Sequence, residues 1–197
     1  MQLQTFIIHL ILSIVLIVGT YQFYFLTQRH QFTPVRTFHF SWDEKIPFVA
    51  GWSWIYSFLY YPAILLLNWL VQDSTQFTLT AFSFMLLLVM QMLAFYFFPV
   101  ATPAHWRSFN KGQSLSERFL LFVQKFDQST NCFPSMHVSV AMLTALHALP
   151  TFGPVVYVFP LLIAISCIFT KQHYLIDLPF GAALGALAYG MYSALLH

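Results

Sequence analysis

The chain has 197 residues, of which 59% are hydrophobic and only 7% are charged, and its mean hydropathy is +0.71. Soluble globular domains have roughly one-quarter charged residues, so this composition excludes a soluble domain and indicates an integral membrane protein. Eight basic and six acidic residues give a net charge of +2, too small a basic excess to indicate a nucleic-acid partner.

Six apolar segments are predicted to form helices. The first three have the length of about 20 residues that a membrane-crossing helix needs. The fourth and fifth are shorter, and by length alone they could also be re-entrant or buried helices. The first lacks the basic start and the cleavage site of a signal peptide, which predicts a retained helix. The six segments are residues 6–26, 49–71, 77–100, about 136–149, 155–169 and about 175–196. The predicted fold is all-α, a polytopic membrane bundle of six transmembrane helices in one domain, residues 1–197.

A turn is predicted between the fourth and fifth segments, at Pro150-Thr151-Phe152-Gly153-Pro154. Such a turn makes the two segments a hairpin, and a hairpin returns the chain to the membrane face that it left. Two loops, 101–137 and 166–177, are therefore predicted to meet on one face and to carry the functional residues.

The basic residues are unevenly distributed over the six predicted crossings. All eight fall on the face with the two loops, which the positive-inside rule would make cytoplasmic. A phosphate site on that face would need cations for its own reasons, so some of these residues could reflect binding instead. They are Arg29, Arg36, Lys45, Arg107, Lys111, Arg118, Lys125 and Lys171.

The end of the first loop has the residues of an anion site. Asn131-Cys132-Phe133-Pro134-Ser135-Met136-His137 runs from a polar loop into the fourth helix, whose first-turn N–H groups have no partner within the helix. Proline and serine are favoured at a helix start, and His137 would face whatever these amides bind.

The second loop supplies a possible nucleophile. His173 and Asp177 are four residues apart, so on a helix the carboxylate could reach one ring nitrogen and leave the other free to attack. His137 could then act as acid and base. The pattern predicts His173, His137 and Asp177 as catalytic residues. The predicted phosphate-binding residues are Ser135, Lys171, Arg107, Asn131 and Gln172.

Other interpretations of these residues stay open. A histidine near the membrane surface is commonly interfacial without catalytic duty. A metal site of His137, His173 and Asp177 is possible, although the neighbouring Lys171 disfavours a bound cation. The prediction is that the protein needs no metal or cofactor. A lipid binder or scramblase-like protein without catalysis is a further alternative.

The two stretches that contain His137 and His173 resemble the type 2 phosphatidic acid phosphatase superfamily of membrane lipid phosphatases and phosphotransferases. Pro134-Ser135-Met136-His137 matches its second motif, Pro-Ser-x-His, and Ser166, His173 and Asp177 match its third. Cys167 replaces the arginine of the third motif. The first motif is a lysine, six intervening residues and then Arg-Pro, and only Arg107 lies in a loosely similar region here.

The resemblance implies a phosphohistidine intermediate on His173, with Asp177 as its partner, His137 as acid and base, and no metal. The implied substrate is a lipid phosphate in the membrane, and the implied activity is hydrolysis. Asn131-Cys132-Phe133 and the His-Tyr-x-Ile-Asp form of the third motif resemble the inositol phosphorylceramide and sphingomyelin synthase branches, which implies headgroup transfer as the alternative. Family members usually have the site on the periplasmic, lumenal or extracellular face, opposite to the basic-residue prediction.

Three smaller predictions concern the remaining polar residues. Residues 107–128 have charges spaced as in an interfacial helix beside the site. Cys132 and Cys167 fit neither a disulfide framework nor a zinc pattern and are predicted to be buried and structural. Asp43 and Glu44 are predicted to be loop or capping groups. The histidines with no recognisable partner are His105, His147 and His197.

Overall fold

A computed structural model describes residues 2–195, and these are mostly helical. A two-residue parallel pair, β1 (Arg36–Thr37) with β2 (Val100–Ala101), is the departure from the predicted all-α fold. Two 3₁₀ turns, Ala50–Trp52 and Gly153–Tyr157, and a π-helical turn, Ile55–Leu59, accompany the α-helices. These helices are α1 (Leu3–Arg29), α2 (Ser41–Lys45), α3 (Tyr60–Leu70), α4 (Ser74–Phe97), α5 (Ala104–Arg107), α6 (Leu115–Gln124), α7 (Met136–Phe152), α8 (Val158–Phe169) and α9 (Asp177–Leu195).

Within residues 2–195, four helical stretches are long and apolar enough to cross a membrane. They are α1, α4, the run Met136–Phe169 and α9. The protein is therefore a multi-pass membrane protein, as composition predicts. Six separate crossings stay a prediction, since α3 has only 11 residues and α7 and α8 lie within one run of 34 residues. The predicted last residue of the sixth segment, Leu196, lies outside the described residues.

The predicted hairpin divides the 34-residue run. Helix α7 continues through Pro150 to Phe152, three residues beyond its predicted end, and Gly153 then reverses the chain with φ +67. A positive φ is readily adopted by glycine, which explains why the turn lies there. The hairpin brings the start of α7 and the end of α8 together, so that the rings of His137 and His173 are 6.0 Å apart between centroids.

Helices α7 and α9 pack closely because of two glycines one helical turn apart. A Cβ on Gly181 would lie 2.5 Å from the carbonyl oxygen of Ser135, and one on Gly185 would lie still closer to that of Ser139. Small residues at this spacing allow the backbones of membrane helices to approach. The contact places the first residue of α9 beside the start of α7, where the Ser135 N–H donates to the Asp177 carbonyl over 3.1 Å.

Loops of distant sequence are joined on this same face. The β1–β2 pair connects the loop after α1 with the one after α4, and a bridge between Val100 and Asn131 adds the loop before α7. The Tyr174 hydroxyl bonds to the carbonyl oxygens of Phe38 and Ala101 at 3.0 and 2.9 Å. The turn after α8 is thus tied to three other loops.

The segment predicted as an interfacial helix contains α6, which is shorter than the predicted span of 107–128. Ser114 caps it by accepting a hydrogen bond from the Glu117 N–H. Leu120 is buried on one side, while Phe122 is exposed on the other. Helix α6 lies against the 3₁₀ turn Ala50–Trp52, and its Phe119 stacks on Trp54 at 4.6 Å.

Candidate active site

His173 lies in the turn between α8 and α9. The prediction that His173 and Asp177 share a helical face is wrong about the helix, because α9 begins only at Asp177. Lys171 has φ +58, which takes the chain out of α8 before His173. The two side chains nevertheless meet, with His173 Nδ1 3.3 Å from Asp177 Oδ2. The same oxygen accepts the Tyr174 N–H over 2.8 Å, which folds the turn back onto the start of α9.

The neighbours of Nδ1 determine the tautomer of His173. Nδ1 lies 2.8 Å from the carbonyl oxygen of Cys132, and this oxygen and the Asp177 carboxylate can only accept hydrogen bonds. Nδ1 must therefore carry the proton. In the neutral ring, Nε2 then has an unprotonated lone pair, which is the requirement for a nucleophile.

His137 lies in the first turn of α7, as predicted. Its ring stacks on Tyr56 at 4.1 Å and is 5.5 Å from the ring of Tyr60. Ser135 caps the helix by accepting a hydrogen bond from the Val138 N–H over 3.4 Å. The arrangement places a second imidazole 6.0 Å from that of His173, in the first turn of a 17-residue helix whose amino end favours bound anions.

Two of the predicted phosphate-binding residues lie in the turn with His173. The Lys171 ammonium donates to the carbonyl oxygen of Asp43 and lies 4.9 Å from the centre of a Trp106 ring. Lys171 is only 4% exposed, and burial lowers the pKa of its ammonium. Gln172 donates to the Thr170 carbonyl oxygen over 3.1 Å.

Two further residues that are predicted to bind phosphate, Arg107 and Asn131, form hydrogen bonds with other parts of the protein. Arg107 donates to the carbonyl oxygens of Gln124 and Asp127, which close the loop after α6. The Asn131 amide donates to Thr27 Oγ1 and to the Tyr24 carbonyl oxygen, which ties this loop to α1. These contacts favour a bracing role for both, and phosphate binding by either stays a prediction.

Asp43 is a residue whose importance the sequence analysis missed. It is 2% exposed, and burial raises the pKa of its carboxyl group. Its Oδ1 accepts the Leu175 N–H over 2.8 Å, while its carbonyl oxygen accepts the Lys171 ammonium. One residue therefore holds the turn on both sides of His173. An acidic residue shortly before an apolar segment gives no sequence signal for such a contact, and the structure places Asp43 in the short helix α2.

Other polar residues also acquire partners. His105 lies 3.1 Å from Glu44, whose carboxylate also accepts the Trp106 indole N–H. His147 pairs with Ser83 at 2.8 Å inside the bundle. The third histidine of that group, His197, lies outside the described residues.

Both cysteines are buried and unbonded to each other, as predicted. Cys167, which occupies the place of the motif arginine, is in α8 with no exposed surface. Within residues 2–195, no group of three or more His, Cys, Asp or Glu side chains is arranged to hold a metal ion.

The motifs indicate a family relationship, and a comparison of this chain with known protein families tests it. The family described as the PAP2 superfamily matches residues 30–191, which is most of the chain. The chain belongs to the PAP2 superfamily. Members of this superfamily are generally phosphatases or phosphotransferases, which supports an enzyme of that general kind. The matched residues begin after α1 and include His137 and His173. No curated protein and no solved structure matches the chain.

Proposed function

We propose that this PAP2 protein hydrolyses a lipid phosphomonoester or diphosphate in the membrane, through an intermediate in which phosphorus is bonded to His173. The observation that carries the proposal is the pairing of His173 Nδ1 with the Cys132 carbonyl oxygen and the Asp177 carboxylate, which leaves Nε2 without a hydrogen bond among residues 2–195, on a ring 6.0 Å from that of His137 between centroids.

In the first step, the lone pair of His173 Nε2 attacks phosphorus. The bond between phosphorus and the leaving oxygen breaks, and protonated His137 gives that oxygen its proton. The positive charge that develops on the His173 ring is stabilised by Asp177. In the second step, His137 takes a proton from water, the water oxygen attacks phosphorus, and the N–P bond breaks to release phosphate.

The phosphate oxygens need donors and positive charge in the transition state. Lys171 and Gln172 lie on the turn with His173, and the N–H groups at the start of α7 follow Ser135. The first and third motifs of the family each include a cation that this chain lacks. In the proposal, Lys171, Gln172 and these N–H groups take the place of those two cations. Arg107 and Asn131 complete this set of phosphate-binding residues in the proposal, because their hydrogen bonds fix the loops on which the set lies.

Transfer to a lipid alcohol is the second candidate reaction. It uses the same intermediate, with an alcohol oxygen attacking in place of water, and leaves the roles of both histidines unchanged. The residues Asn131-Cys132-Phe133 support it, since they resemble the synthase branches of the family. Product analysis with and without an acceptor lipid separates the two reactions.

The test is turnover by purified protein, its His173→Ala variant and a matched His39→Ala control, all in EDTA with a panel of lipid phosphates. His39 is an exposed histidine before α2. We expect phosphate release that survives chelation, is retained in His39→Ala and is lost in His173→Ala. Transferred lipid without free phosphate would assign the second reaction. Lipid binding without turnover on the whole panel would assign the non-catalytic alternative.

The proposal places the site on the cytoplasmic face, because the six predicted crossings put all eight basic residues on the same face as the site. Both native cysteines are buried, so a cysteine at exposed Lys111 would be the accessible thiol. With the protein expressed in a bacterial inner membrane, labelling of Lys111→Cys by a membrane-impermeant maleimide only after that membrane is opened supports a cytoplasmic site. Labelling in intact cells would place the site on the outer face, as in other members of the family.

A further inference from the structure

A cavity of about 520 Å³ lies between α1, α3, α4, α6 and α7. This volume is typical of a small-molecule site. Its wall is formed mainly by aromatic and aliphatic side chains, and it includes Met136 and His137. The cavity and the candidate active site therefore share His137.

Three of the four polar side chains that α1 contributes to this wall already bond to other protein groups. Ser13 donates to Asn68 over 3.1 Å, the hydroxyls of Tyr21 and Tyr61 are 2.6 Å apart, and Tyr24 donates to Asp127. Buried polar groups that are paired in this way attract little water. The interior is suited to an apolar occupant.

The depth of the cavity suits one lipid chain. It extends along α1 from Tyr24, near the site, to Ser13, which is about 16 Å at the helical rise per residue. A bilayer has a hydrocarbon core of roughly 30 Å, so this distance is about the depth of one leaflet. Protein interiors are close-packed and a void this large is unfavourable if empty.

We propose that this cavity binds the hydrocarbon chain of the lipid whose phosphate lies between His137 and His173, and that α1 sets the chain length that the enzyme accepts. The inference rests on the proposed function for the identity of its occupant. Helix α1 supplies one wall and precedes the residues that match the family. Chain selection is thus assigned to an element outside the matched region.

The first test maps the occupant without requiring turnover. The probe is a long-chain alkyl phosphonate with a diazirine at the chain end, which cannot be hydrolysed. We expect it to label residues near Ser13 and Asn68. Thr20→Phe fills the middle of the cavity and should lower this labelling by at least about tenfold, since roughly two buried methylenes are displaced. Val18→Phe is the matched control, because Val18 is 54% exposed on the outside of α1.

Labelling confined to the outer surface of α1, or equal labelling of the two variants, would overturn the inference. A short-chain phosphonate, which does not reach Thr20, should bind both variants and shows that they are folded. With alkyl phosphates from hexyl to octadecyl as substrates, Thr20→Phe should lose turnover of the long members only. Cavity labelling without any turnover would reject the proposed function and keep the chain site.

Discussion

The two sides of helix α7 are built in opposite ways. On the side of α9, Gly181 allows backbone contact with Ser135, and hydrogen bonds fix His173 in its turn. On the side of α1 and α3, long aromatic side chains hold the helices apart around a cavity of about 520 Å³. The α9 side holds the His173 side chain in a fixed position, whereas the side of α1 and α3 encloses a cavity.

The difference follows from what each side is proposed to do. A reacting nitrogen must be held within a fraction of an ångström of its productive position, which close packing and buried hydrogen bonds provide. A hydrocarbon chain needs only an apolar volume of the right depth. Substitutions on the α9 side should therefore change turnover strongly, and those on the α1 side should change chain selection or stability.

The largest effect is expected from Asp177→Asn. The variant retains the size of the side chain and loses the charge that stabilises the positive His173 ring and helps the Cys132 carbonyl oxygen to fix its tautomer, so kcat should fall by about a thousandfold or more. The matched control is Asp73→Asn, since Asp73 also accepts a backbone N–H at the start of a helix, on the opposite face. It should keep full turnover. An active Asp177→Asn enzyme would show that Asp177 only folds the turn.

A smaller loss is expected from Gly181→Ala. The new methyl group would meet the Ser135 carbonyl oxygen and push α9 from α7, which moves Asp177 and His173 relative to His137. We expect kcat to fall by about a hundredfold, because a displacement of about 1 Å has this cost. Gly190→Ala is the control, since a Cβ there meets nothing within 4 Å. Equal activity of the two variants would contradict a role for the close contact.

Lys171 should give a pH-dependent effect. Lys171→Gln removes the positive charge and should lower kcat/KM by about tenfold to a hundredfold, the usual contribution of a hydrogen bond to a charged group. Burial lowers the pKa of Lys171, so the native charge is present below that pKa and is lost at a pH below the ordinary lysine value of about 10.4. The wild-type kcat/KM should fall on that alkaline side.

Lys171→Arg keeps its charge throughout that range and should abolish the alkaline fall, as measured by pH profiles in detergent. Lys125→Gln is the control, because Lys125 is an exposed cation in the loop after α6. Identical profiles for the wild type and Lys171→Arg would assign the alkaline limb to another group.

The α9 side of this comparison could be predicted in part from the sequence. Motif spacing and a Pro-Gly turn predict that His137 and His173 meet, since both follow from local chain direction. The contact between α7 and α9 was not predicted, because a glycine in an apolar segment does not reveal which helix it faces. Asp43 was missed for the same reason, as its partners are 128 and 132 residues away.

The cavity side could not be predicted at all. A cavity is a property of how α1, α3 and α4 pack, and periodicity assigns a tyrosine such as Tyr21 to a helix without showing whether its neighbour is protein or space. A histidine inside the bundle shows the same limit. His147 has no recognisable partner in the sequence, and its partner Ser83 lies on another helix.

Tyr21→Phe should have the smallest effect on turnover, and it tests most directly whether the two sides of α7 act independently. It removes the hydrogen bond to Tyr61 within the cavity wall and should lower the free energy of unfolding in detergent by about 1 kcal/mol. Turnover of a hexyl phosphate should stay within about twofold, since the hydroxyl pair belongs to the wall and a lost hydrogen bond there leaves the His173 contacts intact. Tyr157→Phe, at an exposed tyrosine beyond the hairpin turn, is the control for loss of a hydroxyl. A loss of hexyl phosphate turnover as large as that of Gly181→Ala would mean that the cavity wall also determines the catalytic geometry, and the two sides of α7 would then act as one unit.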